Sequence, residues 1–299
     1  MKAYVPRLGL EDTSAFLGDL IDSLTDRGRA LIGRKEIRER VERGDLLALS
    51  DLLLSRRGEA SGVALAQTLL ATYGAAAAPK RLTFLKALAD RFGPDLQRLA
   101  RAVEAFRGTI DPEGVNELHA AAEPRRQELF RRLNLAPGGT AALVRIREDL
   151  LGFLPGNPDL RTVDNDFTHL FSSWFNRGFL VLRPIDWTTP ANILEKIIRY
   201  EAVHAINDWI DLRNRLQPPD RRCFAFFHPQ LADEPLIFVE VALTTEIPAS
   251  ITPLLDTRRT PIRAQDATTA VFYSISNTQK GLGGVSFGNF LIKQVVDDL

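Results

Sequence analysis

The stretch "TTAVFYSISNTQKGLGGVSFGNFLIKQVV", residues 268–296, places a strand, a glycine-rich loop and an amphipathic helix one after another. "AVFYSIS" has the apolar and aromatic composition of a strand, and "FGNFLIKQVV" has the period of a helix. Glycines let a backbone come close to a phosphate, and the N–H groups of a helix start point at such an anion. A pyrophosphate group is one expected ligand of this loop. A tight turn that uses glycine for positive φ explains the loop equally well, because neither a GxGxxG motif nor a P-loop is present.

Composition describes a chain with ample core-forming residues and no dominant charge. The 299 residues are 45% hydrophobic, which is enough for two ordinary domains. The 38 basic residues balance 38 acidic ones, so no net field favours nucleic acid or an anionic membrane. No apolar run approaches the roughly 20 residues of a membrane span, and the start lacks an apolar signal core. We expect a cytoplasmic protein without a nucleic-acid or membrane partner, whose single cysteine, Cys223, is a buried thiol.

The first half of the chain has the pattern of helices. Two apolar stripes at helical spacing run from Leu82 to Phe92 and from Leu96 to Phe106, and Gly93-Pro94 separates them. We expect these two segments to form a helical hairpin. An earlier helix is expected where Phe16, Leu20 and Leu24 share one face.

In the second half of the chain the sequence pattern changes from helical to mixed helix and strand. Glycine and prolines in "LGFLPGNPDLRTVDND" end the helical pattern, and we place the domain boundary near Asp159. Apolar or aromatic runs bounded by turn residues then predict strands that begin near Gly178, Arg221, Glu234 and Thr268. Between the first two, "TPANILEKIIRYEAVHAINDWIDLRNRL" predicts helix. The expected organisation is an all-α bundle at residues 1–158 and a mixed α and β domain at residues 159–299.

Longer strings, namely "SSWFNRGFLVLRPIDW", "ILEKIIRYEAVHAI", "RRCFAFFHPQLADEPLIFVEVALT" and "FYSISNTQKGLGGVSFGNFLIKQVV", closely resemble the malonyl-CoA decarboxylase family. The resemblance spans most of residues 172–299. It implies a helical, oligomerising domain followed by part of an acetyltransferase-like (GNAT-like) catalytic domain, in which the loop after a central strand cradles the pyrophosphate of coenzyme A. It also implies the conversion of malonyl-CoA to acetyl-CoA and carbon dioxide by a homo-oligomer that needs no metal or organic cofactor.

By this resemblance, the coenzyme A-binding loop of the family falls on consecutive positions: Lys280, Gly281, Leu282, Gly283, Gly284, Val285 and Ser286. The family's catalytic serine and histidine lie downstream of the helix that follows, and neither is carried over onto a sequence that ends at Leu299. We therefore expect a family member that is cut inside its catalytic domain, and doubtful catalytic competence.

Few polar residues within the chain are catalytic candidates. We assign a catalytic role only to Lys196, which could contact an anionic substrate. The alternative is that Lys196 is a solvated lysine on a helix. Glu201 and His204 lie three apart in a predicted helix and could orient an acid–base pair, although a helix-surface pair or a structural hydrogen bond is commoner. Asp164 and Asp166 fit a polar helix start better than paired carboxylates. No two histidines, His228 included, have metal-ligand spacing, so no metal site is predicted.

Two other functions stay open on the sequence. A coenzyme A-dependent acyltransferase would use the same loop but would pass its acyl group to an amine acceptor. A noncatalytic assembly module built on the helical domain would perform neither reaction. An assay with and without an acceptor distinguishes the three.

Overall fold

The structure, a computed structural model, describes residues 39, 42–43, 45–55, 59–108, 111–231, 233–285 and 290–299. It divides into two compact units, Met1–Phe167 and Thr168–Leu299. The helix expected around Phe16 to Leu24 lies outside the described residues. The domain boundary near Asp159 stays a prediction.

Helices make up the described part of the first unit, as expected: α1 (Leu46–Ser55), α2 (Glu59–Ala75), α3 (Ala78–Arg91), α4 (Leu96–Gly108), α5 (Pro112–Ala122), α6 (Arg125–Asn134), α7 (Gly139–Phe153) and α8 (Arg161–Trp174), which continues into the second unit. Short 3₁₀ turns at Leu154–Gly156 and Pro158–Leu160 connect α7 to α8. Local signals place these elements: Asp111 caps α5 by accepting from the Gly114 amide, and Pro112 occupies the first turn. The core contains fully buried leucines: Leu49, Leu65, Leu85, Leu129 and Leu143.

The helical hairpin predicted from α3 and α4 is not the one observed. Helix α4 packs against α5, whereas the sequence pattern had paired it with α3. Part of the α4 stripe faces solvent, because Leu96 is 72% exposed and Val103 is 36% exposed. The periodicity identified an apolar face correctly, but it carried no information about which element would cover that face.

The second unit contains a four-stranded antiparallel sheet in the order β1-β2-β3-β4, and all four predicted strands are present. Their bounds are β1 (Val181–Ile185), β2 (Arg221–Phe227), β3 (Pro235–Thr244) and β4 (Thr269–Asn277). The register pairs Glu240 of β3 with Cys223 of β2 and with Ser274 of β4. Directly after that pair the register shifts, and Tyr273 is the extra residue of a β-bulge. The architecture of the described chain is therefore α plus β.

Helices of the second unit are α9 (Ala191–Tyr200), α10 (Trp209–Leu216), α11 (Thr252–Leu255) and α12 (Phe290–Asp298). Ile197 of α9 and Leu212 of α10 pack on the sheet around Phe238, and both aliphatic side chains are fully buried there. Burying such side chains stabilises the unit by about 1.5–3 kcal/mol each. None of the described helices is both long enough and apolar enough to cross a membrane.

The helix predicted between β1 and β2 is interrupted. Residues 201–208 are not helical, and α10 starts anew because the Asp208 carboxylate accepts hydrogen bonds from the amides of Ile210 and Asp211. Glu201 and His204 therefore do not lie on one helix, and the interpretation of them as a helical pair is wrong.

Candidate functional site

The loop that follows β4 is a short turn closed by its own hydrogen bonds. Lys280–Leu282 form a 3₁₀ turn. The Leu282 amide donates to the Gln279 carbonyl at 2.9 Å, and the Val285 amide donates to the Leu282 carbonyl at 3.0 Å. The order of strand, glycine-rich loop and helix that opened the sequence is thus present, with α12 as the helix.

The predicted loop residues divide by burial. Three are buried and hold the loop against the unit: Gly281, Leu282 and Val285. Three are exposed: Lys280, Gly283 and Gly284. Ser286 lies outside the described residues. The Lys280 ammonium has no hydrogen bond or ion pair within the described part of the chain, so a positive charge and two glycines form the open side of the loop.

Gly284 has a backbone that only glycine adopts freely. Its φ is +75°, in the left-handed region, and a Cβ placed on it would meet no heavy atom within 4 Å. The glycine is therefore required by its conformation rather than by crowding. The same open space leaves room for a ligand to approach the backbone, so the turn and the phosphate cradle are compatible at this residue.

Lys196 lies on α9 and is an ion-pair partner rather than a solvated lysine. Its Nζ donates to Glu234 Oε1 at 2.8 Å and to the Asp233 carbonyl at 2.7 Å. The other carboxylate oxygen of Glu234 accepts from Gln279 Nε2 at 3.3 Å. Because Gln279 directly precedes Lys280, the side chain of Glu234 connects Lys196 to the base of the glycine-rich loop.

Glu201 is a buried carboxylate bound to the strand that leads into the loop. The Ser274 hydroxyl lies 2.7 and 2.8 Å from its two oxygens, and the Ser276 hydroxyl lies 3.2 Å from Oε2. The amides of Val203 and His204 both donate to Oε1 at 2.8 Å. The carboxylate therefore fixes the segment after α9 to the second half of β4, and His204 contributes a backbone amide to it.

A second buried carboxylate, Glu240, lies beside this network. Arg215 Nη1 donates to Glu240 Oε2 at 3.0 Å, while Oε1 has no hydrogen-bond partner within the described residues. Burial raises the pKa of Glu240 to about 7, the Arg215 charge lowers it, and the Glu201 charge raises it. Its cross-strand neighbour Cys223 is buried, as expected, and burial raises the pKa of that thiol. Glu240 can thus hold a proton near neutral pH, whereas Cys223 is an unreactive thiol.

The remaining polar candidates are structural. Asp164 lies in the first turn of α8 and accepts from Arg147 Nε at 2.9 Å, and Asp166 is bound by Arg126 and Gln127. These carboxylates bind arginines instead of forming a pair with each other.

His228 follows β2 and accepts at Nδ1 from the Gln230 amide at 3.2 Å, and its ring lies 5.0 Å from that of Phe175. Burial lowers the pKa of His228. Among the described residues, no cluster of three or more histidines, cysteines and carboxylates could hold a metal ion.

Sequence reasoning missed the buried polar row of Glu240, Ser274 and Ser276. A signal was present, since Ser274 and Ser276 are two apart in a strand and therefore share a face. Glu240 is likewise a single charge within the apolar run "LIFVEVAL". Both patterns indicate polar groups that need partners inside the unit.

Two family models match most of this chain. The malonyl-CoA decarboxylase C-terminal domain matches residues 178–299, and the malonyl-CoA decarboxylase N-terminal domain matches residues 92–175. The mitochondrial malonyl-CoA decarboxylase of Anser anser anser is 36% identical over 242 residues, which are 76% of this chain and 47% of that protein. The mouse protein of the same name is 35% identical over 76% of this chain and 49% of its own length. The chain thus spans about half the length of these curated relatives.

Solved structures give the same result. The malonyl-CoA decarboxylase of Rhodopseudomonas palustris is 70% identical with a TM-score of 0.80, covering 85% of this chain and 62% of the other. That of Agrobacterium vitis is 62% identical with a TM-score of 0.82, over the same shares of the two chains. At these identities sequence and fold agree, and the chain belongs to the malonyl-CoA decarboxylase family.

Proposed function

We propose that this chain takes part in the conversion of malonyl-CoA to acetyl-CoA and carbon dioxide, and that residues 280–286 bind the phosphate-bearing part of coenzyme A. The observation that carries the proposal is the exposed side of the loop, where Lys280, Gly283 and Gly284 face solvent in a member of this family. The Gly284 amide forms no hydrogen bond within the described residues and is available to a phosphate oxygen.

The chemistry requires no electron sink beyond the substrate. Loss of carbon dioxide from a malonyl thioester leaves an enolate whose charge spreads onto the thioester oxygen. The protein has to orient the carboxylate, donate hydrogen bonds to the forming oxyanion, and protonate the carbanion carbon. Contacts to the remote coenzyme A moiety supply binding energy that holds this geometry. We assign that anchoring to the glycine-rich loop.

Lys196 enters the proposal as an electrostatic contact to the anionic substrate. Its ion pair with Glu234 lies at the base of the loop, so a substrate contact requires Lys196 to share its charge between Glu234 and the ligand. The role of Lys196 remains a prediction of this proposal.

The second unit is proposed to be acetyltransferase-like, with the loop after β4 as the coenzyme A loop. That fold places the loop after a central strand, whereas β4 is an edge strand of the described sheet. The proposal therefore requires one more strand on the open side of β4. A cytoplasmic location also stays a prediction, since the animal relatives are named as mitochondrial.

The helical unit is proposed to carry homo-oligomer contacts through α4 and α5. Leu96 and Val103 of α4 and Val115 of α5 are exposed, at 72%, 36% and 49%. Exposed apolar side chains on two helices that pack together favour an interaction surface there.

Calorimetric titration of the 299-residue chain with coenzyme A and malonyl-CoA tests the site. We expect saturable binding that Lys280→Ala weakens about threefold to tenfold, because an exposed charge contact contributes modestly. The matched control is Lys86→Ala on α3, which should leave the affinity unchanged. Equal affinities of wild type and Lys280→Ala would reject the loop assignment.

The reaction is tested separately by following acetyl-CoA formation from malonyl-CoA without an acceptor. A decarboxylase forms acetyl-CoA under these conditions. Transfer of an acetyl group from acetyl-CoA to an amine would instead support the acyltransferase, and coenzyme A binding with neither reaction would confine the proposal to the binding site.

A further inference from the structure

A cavity of about 200 Å³ lies in the second unit beside the start of β2. Its walls are α10, the turn before β2, and the segment from Leu254 to Pro261 between β3 and β4. At roughly 30 Å³ per water molecule, it has room for a small ligand and is below the size of a drug-sized pocket. The segment is held in place because the Asp220 carboxylate accepts from Arg259 Nη2 at 2.9 Å and from the Ile262 amide at 3.1 Å.

This cavity is separate from the glycine-rich loop. Arg221 at the cavity pairs with Ala242 near one end of β3, whereas Asn277, which leads into the loop, pairs with Ile237 near the other end. With a rise of about 3.3 Å per strand residue, the two sites are roughly 15 Å or more apart along the sheet. The inference below therefore stands independently of the proposed coenzyme A site.

Arg221 is the charged residue at the cavity that has no ion pair within the described part of the chain. It is 3% exposed, its Nη2 donates to the Leu254 carbonyl, and its Nη1 has no hydrogen-bond partner there. Every other charged side chain of the lining has an opposite partner: Asp211 with Arg215, Arg215 with Glu240, Arg259 with Asp220, and Asp256 with Arg258.

A buried guanidinium without a counter-charge is unfavourable. Burial lowers the pKa of Arg221 and the neighbouring charge of Arg259 lowers it further, while Tyr273 and the carboxylates of Asp220 and Glu240 offset part of this decrease. The ring of Tyr273, with its centroid 5.8 Å from the guanidinium carbon, is a partial substitute for an anion. A bound anion at this position would therefore be stabilised by a guanidinium whose charge the protein compensates only in part.

We propose that this cavity binds a short aliphatic monocarboxylate, with its carboxylate on Arg221 and its hydrocarbon chain against Leu254 and Leu255. One guanidinium without an ion pair among the described residues matches one carboxylate. The carboxylates of Asp211 and Asp256 line the same cavity and repel a dianion such as hydrogen phosphate more strongly than a monoanion. Leu254, Leu255 and two prolines form the apolar part of the lining, against which a short hydrocarbon chain can pack.

Two further polar side chains complete the site. Asn214 and Thr257 line the cavity, and neither side chain has a hydrogen-bond partner among the described residues. They supply additional donors to a carboxylate held on Arg221.

Butyrate is a suitable probe, with butyramide as its uncharged analogue and phosphate as the dianion. We expect calorimetric titration of the 299-residue chain to give saturable 1:1 binding of butyrate, and at least tenfold weaker binding of butyramide and of phosphate at matched ionic strength. Butyrate should also raise the midpoint of thermal unfolding, by an amount that keeps growing with the logarithm of its concentration above Kd.

Arg221→Gln should weaken butyrate at least tenfold, whereas Arg263→Gln, which changes an exposed arginine outside the cavity lining, should not. Because Arg221→Gln removes a buried side chain that the fold uses, Thr257→Phe gives a second test: it fills the cavity and removes no hydrogen bond of the described protein. Failure of butyrate to bind the wild type, undiminished binding to folded Thr257→Phe, or tighter binding of phosphate than of butyrate would each overturn the proposal.

Discussion

The Glu201 carboxylate accepts a hydrogen bond from the Ser274 hydroxyl, which lies 2.7 and 2.8 Å from its two oxygens, across 73 residues of sequence. Both residues are buried, at 8% and 2% exposure. This contact joins the chain after α9 to β4, the strand that leads into the proposed coenzyme A loop. Glu201 therefore acts as a positioning residue for the strand on which that loop depends.

Replacing Glu201 with alanine should destabilise the protein. The change leaves the hydroxyls of Ser274 and Ser276 and the amides of Val203 and His204 without their shared acceptor. Each unsatisfied buried donor costs about 1–3 kcal/mol, and rotation of the hydroxyls recovers part of this, so we expect a loss of about 3 kcal/mol in the free energy of unfolding. Urea unfolding measures the change.

Glu201→Gln keeps one acceptor oxygen and should cost about 1 kcal/mol. The matched control is Glu195→Ala, an exposed glutamate on α9, which should change stability by less than about 0.5 kcal/mol. Equal losses for Glu201→Ala and Glu195→Ala would show that the network does not stabilise the fold.

The positive φ of Gly284 predicts a cost for any side chain there. Gly284→Ala should lower the free energy of unfolding by about 1–2 kcal/mol, because a Cβ is disfavoured in the left-handed region. Gly156→Ala is the control, since that glycine has equally open surroundings and no positive φ; it should be neutral or slightly stabilising. Chemical denaturation of the two variants gives both values.

Substitution of Gly284 also distinguishes a purely conformational role of this glycine from a role in binding phosphate. If a ligand approaches the Gly284 backbone, folded Gly284→Val should bind malonyl-CoA more weakly than Lys280→Ala does. Identical affinities of wild type and Gly284→Val would leave the glycine with a conformational role alone.

Local sequence patterns were sufficient for most elements of this fold. The strands that begin at Arg221 and Thr269 were expected from their aromatic and β-branched composition, and α3 from its leucine spacing. The break between α9 and α10 has a local cause in the Asp208 cap of α10 and a cause that spacing does not reveal, because Glu201 binds a serine far away in sequence. For the same reason periodicity could not tell that α4 packs on α5.

The site was predictable in part. The loop at residues 280–286 was identified by a resemblance in sequence, and Lys280 and Gly284 are exposed; its role in binding coenzyme A stays a prediction. The ion pair of Lys196 with Glu234 could not be predicted, because it depends on how α9 crosses the start of β3. Buried partners of this kind are set by tertiary packing, which composition and spacing do not specify.

Glu240 predicts a pH dependence of stability. Its pKa is raised from the ordinary value of 4.5 to about 7 in the folded protein, so between these values the folded state binds a proton that the unfolded state has lost. The contribution of Glu240 to stability should therefore fall as pH rises from about 4.5 through 7, most steeply midway at up to about 1.4 kcal/mol per unit and by about 3 kcal/mol in total, and it should level off above about pH 8.

Glu240→Gln should remove that decline, because a neutral side chain has no proton to lose. Urea unfolding at several pH values between 4.5 and 7 measures the slope for wild type and variant. Glu246→Gln, an exposed glutamate beyond β3, is the control and should keep the wild-type slope. A Glu240→Gln slope equal to that of wild type would mean that another group titrates in this range.

The exposed apolar side chains of α4 and α5 predict where copies of the chain associate. The double variant Leu96→Gln with Val115→Gln replaces side chains that are 72% and 49% exposed, so the monomer should keep its fold while the apolar contact area of an interface is lost. Light scattering after size-exclusion chromatography should give a smaller species for this variant than for wild type. Ile247→Gln, which changes a side chain 84% exposed in the second unit, should leave the size unchanged. If the double variant keeps the wild-type size, or if a protein without the helical half does so, the helical unit is not the site of association.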